Sequence, residues 1–131
     1  MSFPSADKSR VLLVSCETNF HRTLERILCR CGYEVCVVNT GEAALERACT
    51  EAFDAVVSQV DLPGSVCGVT LLQRLRERGV RVPVVMLTEQ QTNRLRTALG
   101  CTNGATCLSK DVDLDLLKSK LAEFLSPANR H

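Results

Sequence analysis

The sequence predicts an α/β domain built on a parallel sheet, and three observations predict it: short apolar runs rich in β-branched residues, amphipathic helical patterns between them, and a length of 131 residues that accommodates one domain. The runs are Val11 to Val14, Val35 to Val38, Ala55 to Val57 and Val82 to Leu87. Continuous apolar runs suit strands covered on both faces, because a strand with one wet face alternates instead. Ala105 to Leu108 makes a fifth, weaker run, with Thr106 and Cys107 inside it.

The intervening segments carry helical spacing. Phe20, Leu24, Ile27, Leu28 and Cys31 recur on one face, with Arg22, Arg26 and Arg30 on a separate stripe. Thr40 is placed to cap a second helix, Gly41 to Cys49, and a third runs from Val69 to Arg78 with Leu71, Leu72 and Leu75. A fourth spans Thr92 to Leu99. In the fifth, Asp111 is the expected cap, Asp113 and Asp115 stand in the first turn, and Lys118 and Lys120 follow. This polarity suits the helix dipole, and Leu114, Leu117, Leu121 and Phe124 share the apolar face. Five strands alternating with five helices over short connections require right-handed crossovers. The expected architecture is therefore a single doubly wound five-stranded parallel sheet with helices on both faces. The domain is expected over 10–125, with 1–9 as a flexible polar lead and 126–131 as a tail or linker stump.

Charge narrows the function. Sixteen Lys and Arg against fifteen Asp and Glu leave a formal net charge of +1, too little to steer the domain to nucleic acid or an anionic membrane. No stretch approaches the roughly 20 apolar residues that span a bilayer, and MSFPSADKSR lacks the apolar core of a secretory signal, so a cytoplasmic location is expected. Among the cysteines no C-x₂-C pair occurs, and Cys29 and Cys31 fall about 200° apart on a helix, which argues against zinc. Most of Cys29, Cys31, Cys36, Cys49, Cys67, Cys101 and Cys107 are expected as small buried hydrophobes. A Gly-rich phosphate loop, a Walker-type lysine and paired catalytic carboxylates are all missing, His21 has no partner at a telling spacing, and the arginine stripe reads as a solvated helical face. No independent enzyme activity is expected.

Ligands of an open α/β sheet collect at the carboxyl ends of its strands. Here that edge offers Ser15 and Cys16 after the first strand, Gln59 after the third, Thr88 after the fourth and Lys110 after the fifth. The segments carrying them, LLVSCETN, VVSQVDLPG, VVMLTE and CLSK, stand in the order and spacing of a response-regulator receiver domain, and nearly the whole chain resembles that family. The resemblance implies a flavodoxin-like, CheY-like fold and a protein partner in two-component phosphorelay signalling, met through the region Gln91 to Leu125. By position, the family's acidic pair becomes Ser15 and Cys16 and its phosphoacceptor Asp becomes Gln59, while Thr88 and Lys110 match. The family's aromatic switch position is Cys107, the loop PGSVCG is one residue longer than the usual turn, and Asp111 stands where a proline is common.

That pocket is poor in anionic oxygen. Mg²⁺ takes hard oxygen ligands, usually including one or two carboxylates, so its binding is expected to be lost or weak and no cofactor is expected. The Gln59 amide has no acid oxygen to attack phosphorus, although its carbonyl can accept a hydrogen bond from Lys110. The expectation is a pseudo-receiver that regulates by protein contact without aspartyl phosphorylation. Two alternatives stand beside it. Glu17, Asp61 or Glu89 could compensate as displaced carboxylates, with Asp61 or Glu17 taking the phosphoryl group. Or Cys16, beside the Lys110 ammonium, could serve as a redox-sensing thiolate.

Overall fold

Each expected apolar run forms a strand, because covering both faces of a sheet requires successive side chains, which point to opposite sides, to be apolar alike. The computed structural model describes residues 9–60, 62, 64, 66–88, 105–109 and 114–125. In chain order the elements are β1 (Arg10–Val14), α1 (Thr18–Arg30), β2 (Glu34–Val38), α2 (Gly41–Thr50), β3 (Ala55–Gln59), α3 (Gly68–Glu77), β4 (Val84–Thr88), β5 (Ala105–Ser109) and α4 (Leu114–Leu125). The strands pair in the order β2-β1-β3-β4-β5, every pair parallel. Leu12, Val14, Val56 and Met86 pack on one side of the sheet with Ala44, Leu45, Leu71, Leu72 and Leu75 of α2 and α3. Val11, Leu13, Val57, Val85 and Leu87 pack on the other with Leu24 and Leu28 of α1 and Leu117 and Leu121 of α4. The doubly wound arrangement is thus the one expected.

Several boundaries move for physical reasons. β3 runs on through Ser58 to Gln59, both buried, so Gln59 is the last strand residue rather than one past the strand's end. β4 begins at Val84 rather than Val82, since Pro83 has no N–H to give the ladder, though its carbonyl still accepts from Val56 N at 2.9 Å. The Thr40 cap forms as expected, its Oγ1 accepting from Ala43 N at 3.1 Å. α1 and α3 both end in glycines of positive φ, Gly32 (91°) and Gly79 (79°). In each the next residue donates back five positions, Tyr33 N to Leu28 O at 3.2 Å and Val80 N to Leu75 O at 2.9 Å, which occupies carbonyls the helix end leaves open. The expected Thr92–Leu99 helix, the Asp111 cap and Asp113 lie outside the described residues.

The cysteine expectation is overturned. Cys29, Cys31 and Cys49 are exposed and Cys36 and Cys67 half-buried, all as free thiols. Cys29 lies among exposed Arg26 and Arg30 on the outer side of α1, and Cys31 has left the helix as its C-cap, so a helical face extrapolated to it does not exist. Cys101 and the side chain of Cys107 lie outside the described residues.

At the amino ends of the strands, Arg10 gathers distant segments. Its guanidinium pairs with Glu34 at 3.1 Å and Glu51 at 2.8 Å, donates to Ala52 O at 3.0 Å and stacks over Phe53 at 4.6 Å. Arg47 also pairs with Glu51. Hydrogen bonds from Arg10 first, then Arg47, hold the Glu51 carboxyl below the ordinary carboxylate value. A carboxyl lowered in the folded state stabilises the fold above its unfolded pKa of about 4.3, and that contribution disappears as pH falls through the folded value. Thermal melts of the wild type and Glu51→Gln are therefore expected to differ most at neutral pH and to converge in acid. A gap independent of pH would remove Glu51 from the acid response.

Candidate functional site

The sheet's winding reverses between β1 and β3, because the chain leaves β1 outward to β2 on one side and returns to β3 on the other. A crevice opens at the carboxyl ends of strands flanking such a switch point. Ser15, directly after β1, is fully buried and extends the ladder by donating from its N–H to Val38 O at 3.0 Å. Its hydroxyl is engaged locally, accepting from Glu17 N at 3.2 Å. Cys16 is exposed at the mouth. Glu17, also exposed, is the N-cap of α1 with no side-chain cap bond, and its carbonyl accepts from His21 N at 3.0 Å.

Gln59 enters from the other wall. It is 5% exposed, and its Oε1 accepts from Cys16 N at 3.1 Å with the Cys16 Sγ 3.9 Å away. A backbone N–H can face only an acceptor, so this bond fixes the amide with its oxygen towards Cys16 and its NH₂ group turned elsewhere. The base of Gln59 is itself held: Ser58 Oγ donates to Gln59 O at 2.9 Å, and the next residue's N–H, Val60 N, donates to Leu87 O at 2.9 Å. α3 starts hard against this strand end, with Gly68 N donating to Val60 O at 2.8 Å.

The structure therefore brings Ser15, Cys16 and Gln59 together, with Glu17 at the rim. Thr88 ends β4 and is in register with Ser109 of β5, and Cys107 pairs in register with Met86. The side chains of Thr88 and Cys107, together with Asp61, Glu89 and Lys110, lie outside the described residues, and with them the expected Lys110 to Gln59 bond. At the positions of Ser15, Cys16 and Gln59 the cleft presents a hydroxyl, a thiol and an amide, with the carboxylate of Glu17 exposed at the rim. As a donor set those three do not fit Mg²⁺, which prefers hard, anionic oxygen. Among the described residues no cluster of three His, Cys, Asp or Glu could hold a metal ion.

One chemically distinct side chain was not legible as such. Cys67 is the N-cap of α3, with Sγ 3.4 Å from Thr70 Oγ1. Burial pushes its thiol up, but the Thr70 hydroxyl and the polar N–H groups of the backbone at the start of α3 favour the thiolate more, and the thiol is lowered. The signal in the sequence is a cysteine directly before the helix, obscured because the spacing predicts a start at Val69 whereas the helix begins at Gly68. A separate groove of about 340 Å³ between α2 and α3, lined by Glu42, Leu45, Glu46, Cys49, Arg74 and Arg78 among others, shares no residue with the strand-end cleft.

A five-stranded parallel sheet in this order, with a polar cleft at its β1/β3 switch point, defines a flavodoxin-like α/β module. Within that class, the family model of the response regulator receiver domain matches residues 11–122, and the chain belongs to this family. It is 33% identical over 120 residues to the sensor histidine kinase RcsC of Salmonella typhimurium, covering 92% of the chain and 13% of that protein. It is 28% identical over 131 residues to the sensor protein EvgS of Escherichia coli, covering 95% of the chain and 11% of that protein. The chain thus spans only a small part of these relatives. Among solved structures, the response regulator TrrA of Thermotoga maritima, in complex with Mg²⁺ and BeF, superimposes with a TM-score of 0.79 at 25% identity, over 89% of this chain and 99% of that one. The Francisella response regulator 1452 receiver domain superimposes with a TM-score of 0.82 over 92% of this chain and 99% of that one; at 20% identity it supports the fold alone. The chain is a receiver domain of two-component signalling, a class of generally non-enzymatic modules. No described helix is long and apolar enough to cross a membrane.

Proposed function

We propose that this receiver domain is a pseudo-receiver, a cytoplasmic module that regulates by binding another protein without taking a phosphoryl group and without depending on Mg²⁺. The observation that carries the reading is Gln59: where the family places its phosphoacceptor, β3 ends on a buried amide whose oxygen accepts from Cys16 N–H at 3.1 Å. An amide oxygen in place of a carboxylate is a poor nucleophile towards phosphorus, and its neighbours Ser15 and Cys16 bring no negative oxygen to hold a cation. The proposed contact surface is the region Gln91 to Leu125, carried over from the family. With a formal net charge of +1, the domain has no field to favour nucleic acid over a protein partner.

Incubation with acetyl phosphate and Mg²⁺, followed by intact mass, tests the reading. No gain in mass is expected. A persistent gain of one phosphoryl group, mapped to Asp61 or to Glu17 at the cleft rim, would replace the proposal with a displaced-carboxylate receiver.

A further inference from the structure

From the geometry of the cleft we infer that Gln59 is a built-in ligand of its own pocket, a latch that holds the β1 to α1 connection shut against the end of β3. The inference concerns the cleft of the proposed function and rests on the reading that Gln59 takes no phosphoryl group. Ser15 N–H is the last of its strand to find a β2 carbonyl, at Val38. The chain then turns away from the sheet, and Cys16 N–H bonds instead to the Gln59 side chain, 43 residues distant in sequence.

Two side chains thereby hold the connection in place. Ser15 Oγ secures Glu17 N–H from within it, and Gln59 Oε1 secures Cys16 N–H from the opposite strand. The anchor on the far side is stiff, since Gln59 O is bonded by Ser58 Oγ, Val60 N is bonded to Leu87 O, and Gly68 is packed against both residues. Because Glu17 is the N-cap of α1, fixing Cys16 also fixes where α1 begins. The latch has a chemical consequence. Cys16 N–H already has an acceptor, so it is not open to an incoming anion. The buried amide meanwhile gains a partner whose loss would leave a polar group unsatisfied.

Backbone amide exchange measured by NMR on the wild type, Gln59→Met and Gln59→Glu tests the latch. Methionine keeps the length and bulk of glutamine without the acceptor oxygen, so the core stays filled; glutamate keeps both the reach and an acceptor. Exchange at Cys16 is expected to accelerate about tenfold or more in Gln59→Met and to stay within about threefold of wild type in Gln59→Glu, with Leu13 and Val57 amides unchanged in both. Unchanged Cys16 exchange in Gln59→Met, or equal acceleration in both variants, would overturn the latch. Its failure is distinguishable from failure of the proposed function, because phosphorylation of the wild type is read separately by mass.

Discussion

Gly68→Ala is expected to lower the stability of the fold by about 1–3 kcal/mol, read as a lower urea midpoint at unchanged slope. A Cβ built on Gly68 would lie 2.5 Å from Gln59 O, 2.9 Å from Val60 Cα and 3.0 Å from Met86 Sδ. The first two are backbone atoms of the strand end that carries the cleft, so they cannot rotate away as a side chain would. Helix propensity argues the other way, since alanine is better than glycine in a helix by about 1 kcal/mol. The sign of the measured change therefore decides between local preference and close packing. Gly41→Ala supplies the control, as its Cβ would run into the carbonyl and side chain of Val66, away from Gln59. Both variants are expected to be destabilised, but only Gly68→Ala should disturb the Cys16 amide, by pushing Gln59. A Gly68→Ala protein as stable as wild type would mean that α3 can lift off β3 without penalty.

How much could be read from the sequence followed the range of the interaction. β1 and β3 were legible because their apolar runs report burial on both faces, a property each residue expresses alone. The Thr40 cap was legible because its partner, Ala43, is three residues away. Bonds between segments distant in sequence were not. The Arg10 network joins β1 to residues up to 44 positions off, and nothing near Arg10 marks Glu34, Glu51 or Asp54 as its partners. The same holds for Gln59. Its place at the ligand edge could be inferred from motif spacing, but the bond to Cys16 N–H depends on β1 and β3 lying side by side and on the chain turning at Ser15. Cysteine misled for a different reason: the average tendency of thiols to be buried says little about an individual helix position, and Cys29 sits beside exposed Arg26 and Arg30 while Cys49 lines an open groove between α2 and α3.

On the proposed pseudo-receiver reading, the largest change expected at the cleft comes from placing carboxylates at Ser15, Cys16 and Gln59. In the triple variant Ser15→Asp, Cys16→Asp, Gln59→Asp, three carboxylates would converge on a region where Ser15 is 0% and Gln59 5% exposed. Without a cation, burial and mutual repulsion raise their pKa values and penalise the charged form, so the variant should melt below wild type at neutral pH. Mg²⁺ would relieve that repulsion and take the hard oxygen ligands it prefers. At a free concentration 100 times its dissociation constant, binding to the folded state alone adds about 2.7 kcal/mol, a rise of roughly 8–15 °C in Tm for a domain of this size. Acetyl phosphate should then add one phosphoryl group, at the residue-59 carboxylate. The wild type should show neither response once ionic strength is matched. Gln59→Asp alone should remain unmodified, because a nucleophile without the acidic pair has no metal beside it to neutralise the incoming phosphoryl group. A wild-type Tm that rises with Mg²⁺ to a comparable degree would show that carboxylates other than these three positions already supply the charge, and would overturn the proposed independence of Mg²⁺.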